Sequence, residues 1–134
     1  MFKVLRGGYR VSLAATTTAA FVPGLAAKIV ASDTVALCDD AALAVGIFFD
    51  DSVTEVTPVA GSLATVVMGD FEGSTDQVIV SGLTFGGSLG IDATTGKFKV
   101  AAAGDRVVGI AINTPSATVP LHFWWFGGAT LIAS

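Results

Sequence analysis

Short runs rich in Val, Ile, Thr and Phe alternate along the chain with clusters of Gly, Asp and Ser. Such runs bounded by turn formers are the pattern of β-strands, because β-branched and aromatic side chains pack well on a pleated surface while glycine and aspartate accept the backbone of turns. The pattern predicts strands at Ala26–Val30, Val35–Cys38, Ala44–Phe49, Leu63–Met68, Gln77–Val80, Leu89–Asp92, Lys97–Ala101, Val107–Ile112 and Thr118–Phe126. Their spacing of about eight to twelve residues is that of a β-sandwich or barrel. No stretch long enough for a stable helix carries a helical period, although alanine would favour a helical turn within Leu13–Ala20 or at Asp39–Leu43. The expected fold is all-β: a small antiparallel β-barrel or β-sandwich with an extended N-terminal arm.

The clearest hairpin runs from Leu89 to Val100, where Asp92-Ala93-Thr94-Thr95-Gly96 supplies a tight loop with glycine available for positive φ. Its second strand is expected to turn Lys97 and Lys99 to solvent and Phe98 and Val100 inward. Residues 1–24 read differently from the β-domain at 25–134. Gly7-Gly8, the run Thr16-Thr17-Thr18 and Pro23-Gly24 deny this arm a core of its own, so it needs a partner to hold it. The strings Val45-Gly46-Ile47-Phe48 and Val108-Gly109-Ile110-Ala111 echo one another. Each leads to a second strand ending in glycine, Val66-Val67-Met68-Gly69 and Trp124-Trp125-Phe126-Gly127; no regular period makes this a repeat.

Composition changes the picture in one direction. Hydrophobic residues make up 52% of the 134 and charged residues only 13%, against about 25% charged in ordinary soluble domains. A surface so short of charge exposes apolar patches, and such patches mark contact surfaces. The charge-free stretch Val107–Ser134 is broken by Asn113, Pro115, Pro120, His122 and Gly127-Gly128 before a membrane-spanning length accumulates. Lys3, Arg6 and Arg10 ahead of Val11–Ala27 faintly imitate a secretory signal, but the threonine run breaks its apolar middle. The net charge of −4 hides an asymmetry: residues 29–96 hold ten of the eleven acidic side chains and none of the seven basic ones. A nucleic-acid partner is therefore not expected, since phosphate contacts need clustered Lys and Arg. Cys38 is the single cysteine, which excludes an intramolecular disulfide and reads as a small buried residue.

Catalytic patterns in the chain are weak. Gly86-Gly87-Ser88-Leu89-Gly90 followed by Gly96-Lys97 has the wrong spacing for a phosphate loop, and Phe98 stands where the magnesium-holding hydroxyl belongs. Asp39-Asp40 and Asp50-Asp51 lack the alternation of a calcium loop and read as solvated turn carboxylates. His122, the single histidine, sits within Leu121-His122-Phe123-Trp124-Trp125-Phe126. As a strand this puts Leu121, Phe123 and Trp125 on a core face and His122, Trp124 and Phe126 on an outward one. An interface accounts for that pattern better than a catalytic base does. No enzyme, cofactor or metal is expected.

From about Val35 to Phe126, roughly two-thirds of the chain, three strings occur in order: Ala64-Thr65-Val66-Val67-Met68-Gly69-Asp70-Phe71, Leu89-Gly90-Ile91-Asp92-Ala93-Thr94-Thr95-Gly96-Lys97 and Gly104-Asp105-Arg106-Val107-Val108-Gly109-Ile110-Ala111. In that order the chain resembles the small capsid decoration, or cement, proteins of tailed bacteriophages. The arm before Pro23 lies outside the resemblance, and Phe123-Trp124-Trp125-Phe126 is more aromatic than the usual ending. The resemblance implies a virion protein on the outer capsid surface that binds the major capsid protein, forms a homo-oligomer (a trimer, or else a dimer) and stabilises the shell. Lys3, Arg6 and Arg10 are then expected to meet an acidic surface, and His122, Trp124 and Phe126 to form the apolar interface. The alternative is a carbohydrate- or surface-binding β-module with Trp124, Trp125 and Phe126 as a stacking platform.

Overall fold

The computed structural model describes residues 2–15, 22–32, 34–38, 44–49, 63–126 and 131–133. They form β1 (Lys3–Ala15), β2 (Ala26–Ala31), β3 (Thr34–Leu37), β4 (Ala44–Phe49), β5 (Leu63–Thr75), β6 (Ser88–Ile91), β7 (Phe98–Val100), β8 (Arg106–Val107), β9 (Gly109–Ala111), β10 (Leu121–Trp125) and β11 (Leu131–Ile132), with no helix among the described residues. Nine strands make one sheet in the order β1-β3-β2-β4-β5-β10-β9-β6-β7, and β1 also pairs with β5. The first five strands thus close a ring, and the others extend the sheet beyond it. All neighbours are antiparallel except β1 and β3. At the far end the chain just after β5 meets β7: Ile79 N–H donates to Phe98 O and Phe98 N–H to Gln77 O. The segment expected as a strand at Gln77–Val80 is reduced to this single bridge at Val78.

β5 organises both parts. One of its edges is covered by β1 from Leu63 to Ser74. The other is divided between β4, at Thr65–Val67, and β10, at Phe71–Thr75. Alternation along β5 sends Ala64 and Val66 to a cluster with Leu25, Ala27, Val35 and Phe48. Val67 and Phe71 go to the larger core with Phe98, Leu121, Phe123 and Trp125. There Phe98 and Phe123 lie 4.5 Å apart, Phe71 stacks on Trp125 at 6.1 Å, and Phe2 meets Phe71, Phe123 and Phe49 at 5.9–6.4 Å. Cys38 is buried, as its lone occurrence implied.

Three expectations change here. Residues 3–15 are a full strand of the sheet, and Phe2 enters the core, so this extended segment finds its partner in β5 of its own chain. Gly7-Gly8 looked like a break. At φ +78° and +74° these glycines instead sit where β1 bulges closely over β5: a Cβ on Gly7 would lie 2.7 Å from Asp70 O and one on Gly8 2.9 Å from Phe71 Cβ. In the predicted hairpin, β6 and β7 pair as expected and Gly96 takes φ +74°. Phe98 is fully buried but Val100 is 39% exposed, because β7 ends there, at the rim beside Gly82. The possible helical turn at Asp39–Leu43 and the pair Asp50-Asp51 lie outside the described residues, whereas Leu13–Ala15 belong to β1.

The echoed strings share a physical constraint. A Cβ on Gly46 of β4 would lie 2.2 Å from Val67 O, and one on Gly109 of β9 2.2 Å from Trp124 O. Each glycine precedes an isoleucine paired with the residue whose carbonyl it approaches, Ile47 with Val67 and Ile110 with Trp124. We expect Gly109→Ala and Gly46→Ala each to cost about 2–3 kcal/mol, since a backbone carbonyl cannot rotate aside as a side chain can. Gly104→Ala, at φ +86° with open space around it, should cost only about 1 kcal/mol from backbone strain. Urea midpoints of the three variants check this ordering.

Candidate functional site

Strand register carries one row of side chains across five strands. Arg6 of β1 lies opposite Glu72 of β5, Glu72 opposite Trp124 of β10, Trp124 opposite Ile110 of β9, and Ile110 opposite Ser88 of β6. A second row beside it holds Lys3, Ser74 and His122. Directly opposed residues share a face, so Lys3, Arg6, His122 and Trp124 come together on the side away from the aromatic core. The alternation read in β10 is present: Leu121, Phe123 and Trp125 are 0% exposed, while His122, Trp124 and Phe126 are half-buried. The Trp125 indole N–H has no hydrogen-bond partner among the described residues, and its ring packs against those of Phe71 and Phe98.

Glu72 is the centre of the polar part. Its Oε2 is 3.0 Å from His122 Nε2 and its Oε1 3.2 Å from Arg6 Nε. The hydrogen bond from His122 is the main cause that holds its carboxyl below the ordinary 4.5; the Arg6 charge assists and burial opposes. The carboxylate thereby stitches three strands together, β1 through Arg6 and β10 through His122. The backbone N–H of His122 donates to Asn113 Oδ1 at 2.8 Å, and Asn113 Nδ2 donates to Pro120 O at 2.9 Å, which fixes the turn entering β10. Ser74 stands opposite His122, yet no hydrogen bond joins the two, and Glu72 is already shared with Arg6. This geometry suits a clamp rather than an activated hydroxyl.

Beyond Trp124 the face turns apolar. Ile110 is 38% and Ile132 62% exposed, and together with Phe126, Val107 and Ser88 they border an open groove of about 420 Å³. Arg10 belongs elsewhere: it pairs opposite Val67, and its guanidinium stacks 4.1 Å from the centroid of Phe49 at the edge of the core. Of the residues singled out in the sequence, Lys3, Arg6, His122, Trp124 and Phe126 lie along one face, and Arg10 is diverted to a contact within the chain. Glu72 and Ile110 were missed. The signal for Glu72 was available in the alternation Phe71-Glu72-Gly73-Ser74-Thr75, obscured because Gly69 looked like the end of the strand. Among the described residues no group of acidic, histidine or cysteine side chains could hold a metal ion. Among them, too, no helix is long and apolar enough to cross a membrane.

Comparison with protein-family models gives no match, and a search of curated proteins gives none either.

Because the Glu72 carboxyl titrates below its unfolded value, its stabilising contribution is full above about pH 4.5 and is lost as the pH falls through the lowered folded-state value. Glu72→Gln should therefore melt lower than the parent at pH 6 and lose that difference progressively below pH 4.5. A melting series in acid checks this, and an equal difference at every pH would contradict the clamp.

Proposed function

We propose that this chain is a structural protein that decorates and stabilises a bacteriophage capsid, docking through the outward face of β10 and β9. The observation that carries the reading is the division of β10. Its inward side chains complete the aromatic core, and its outward ones continue with Ile110 and Ile132 into an apolar strip rimmed by Lys3, Arg6 and His122. A domain of this size needs one such face for its own core. Fully burying a second set of large apolar side chains contributes roughly 1.5–3 kcal/mol each, a gain available only against another surface. An apolar centre with a polar rim is the anatomy of a protein interface. The resemblance of the three strings to cement proteins and the low charge of the chain support a partner that is itself a large assembly, with the major capsid protein as the contact and a trimer as the arrangement in which copies share the load. A sugar-binding platform is less favoured, because Trp125 is fully buried and the three consecutive aromatic residues do not share a face.

Trp124→Ala should weaken attachment to shells assembled from a tailed-phage major capsid protein by at least about tenfold while shifting the melting temperature of the free protein little. Trp125→Ala should destabilise the fold by about 3–5 kcal/mol. Co-sedimentation with shells and thermal melts of both variants check this pair; a Trp124→Ala protein that decorates shells as tightly as the parent would remove β10 from the interface.

A further inference from the structure

β1 differs from the strand it covers. It is thirteen residues long and pairs with β5 at ten positions. No residue from Lys3 to Ala14 is fully buried, whereas β5 buries seven residues. The strand is held by its backbone ladder, along β5 and for a short stretch along β3, by side-chain anchors at Phe2, Arg6 and Arg10, and by Val4 and Leu13, which pack partly buried against the two cores. Phe2 packs in the aromatic core. Arg6, 73% exposed, bonds Glu72, and Arg10 lies over Phe49. Solvent screens the exposed Arg6 side of its ion pair, so main-chain hydrogen bonding, chiefly to β5, supplies much of the attachment. Segments with few buried contacts open at a lower free energy than the core does.

We propose that β1 exchanges between copies, the β1 of one chain taking the place of β1 on the β5 edge of another. When β1 leaves, it uncovers a long row of unpaired backbone groups beside the buried Val67 and Phe71, together with the space left by the Phe2 ring. An edge of this kind takes up a strand. Which strand it takes is set in large part by the bulge between Gly7 and Tyr9. At the positions of Gly7 and Gly8 the incoming chain must adopt positive φ and bring no Cβ, because Asp70 O and Phe71 Cβ stand within 3 Å of where one would sit. It must also carry an aromatic ring at its start and cations four and eight residues later, to meet Glu72 and Phe49. A second copy of this chain supplies all of these in register. Residues 16–21 separate β1 from the next described segment, and six residues reach at most about 20–22 Å, enough to hand the strand to a neighbour in contact. Exchange of an identical element costs little in the product, since the same contacts are remade. Exchange of this kind needs only two copies of the chain and no capsid.

The test uses pairs that face each other in the ladder, Ser12 with Thr65 and Lys3 with Ser74. Full-length Ser12→Cys and Thr65→Cys proteins, carrying tags of different size, are mixed at high concentration and incubated just below the melting transition in a glutathione redox buffer. Exchange yields a disulfide-linked heterodimer roughly tenfold in excess of that formed by Ser12→Cys with Thr118→Cys, an exposed position away from the ladder that reports collision. Lys3→Cys mixed with Ser74→Cys gives the same excess. The double variant Ser12→Cys/Thr65→Cys, which closes a disulfide within one chain, confirms that the pair is in reach. If that intrachain bond forms and neither mixed pair exceeds the collision control, β1 stays on its own chain and the proposal is wrong.

Discussion

β5 has two edges and three partners, and the rest of the fold follows from how they are shared. β1 takes one edge along nearly the whole strand, so β4 and β10 must divide the other. The division sets where the ring closes and where the sheet extends. It also places Val67 and Phe71 in the interior where the two parts meet, so the aromatic core of Phe2, Phe71, Phe98, Phe123 and Trp125 joins the ring to its extension. Glycine makes this crowding possible. Gly7 and Gly8 let β1 lie close over β5, Gly46 and Gly109 admit neighbouring carbonyls, and Gly73 leaves room for the Phe123 ring.

The same packing leaves the opposite face of β10 and β9 unspent. Since successive strand residues point to opposite sides, drawing Leu121, Phe123 and Trp125 into the core turns His122, Trp124 and Phe126 outward. Glu72 then fixes the polar end of that face by holding Arg6 and His122 at once. A half-buried aromatic beside two side chains already held by one carboxylate is suited to docking, because less side-chain freedom remains to be lost on contact. The proposed cementing role and the proposed exchange of β1 draw on different parts of the molecule, but both bear on the face where Arg6 and Glu72 meet.

The sequence made the strand content and the two faces of β10 legible because both rest on local alternation, and Ala44–Phe49 was readable to the residue. What it hid was governed by partners far along the chain. Gly7-Gly8 and Gly69 read as interruptions, since a glycine that breaks a strand and one that lets two backbones approach are written with the same letter; only the position of β5 under β1 distinguishes them. Missing the second half of β5 meant missing Glu72, and with it the reason that Arg6 and His122 meet. Arg10 was grouped with Arg6 by charge and separation, but the bulges of β1 put one over Phe49 and the other over Glu72. Val100 failed for a simpler reason: alternation assigns a face, but a strand that ends at the rim has little to bury against.

The central claim is that the outward face of β10 is open in the free protein and covered on assembly. The most direct measurement is acrylamide quenching of Trp124 fluorescence in a Trp125→Phe protein, whose remaining tryptophan reports that face alone. The account predicts efficient quenching in the free protein and strong protection once it is bound to shells. Equal quenching in both states would contradict it.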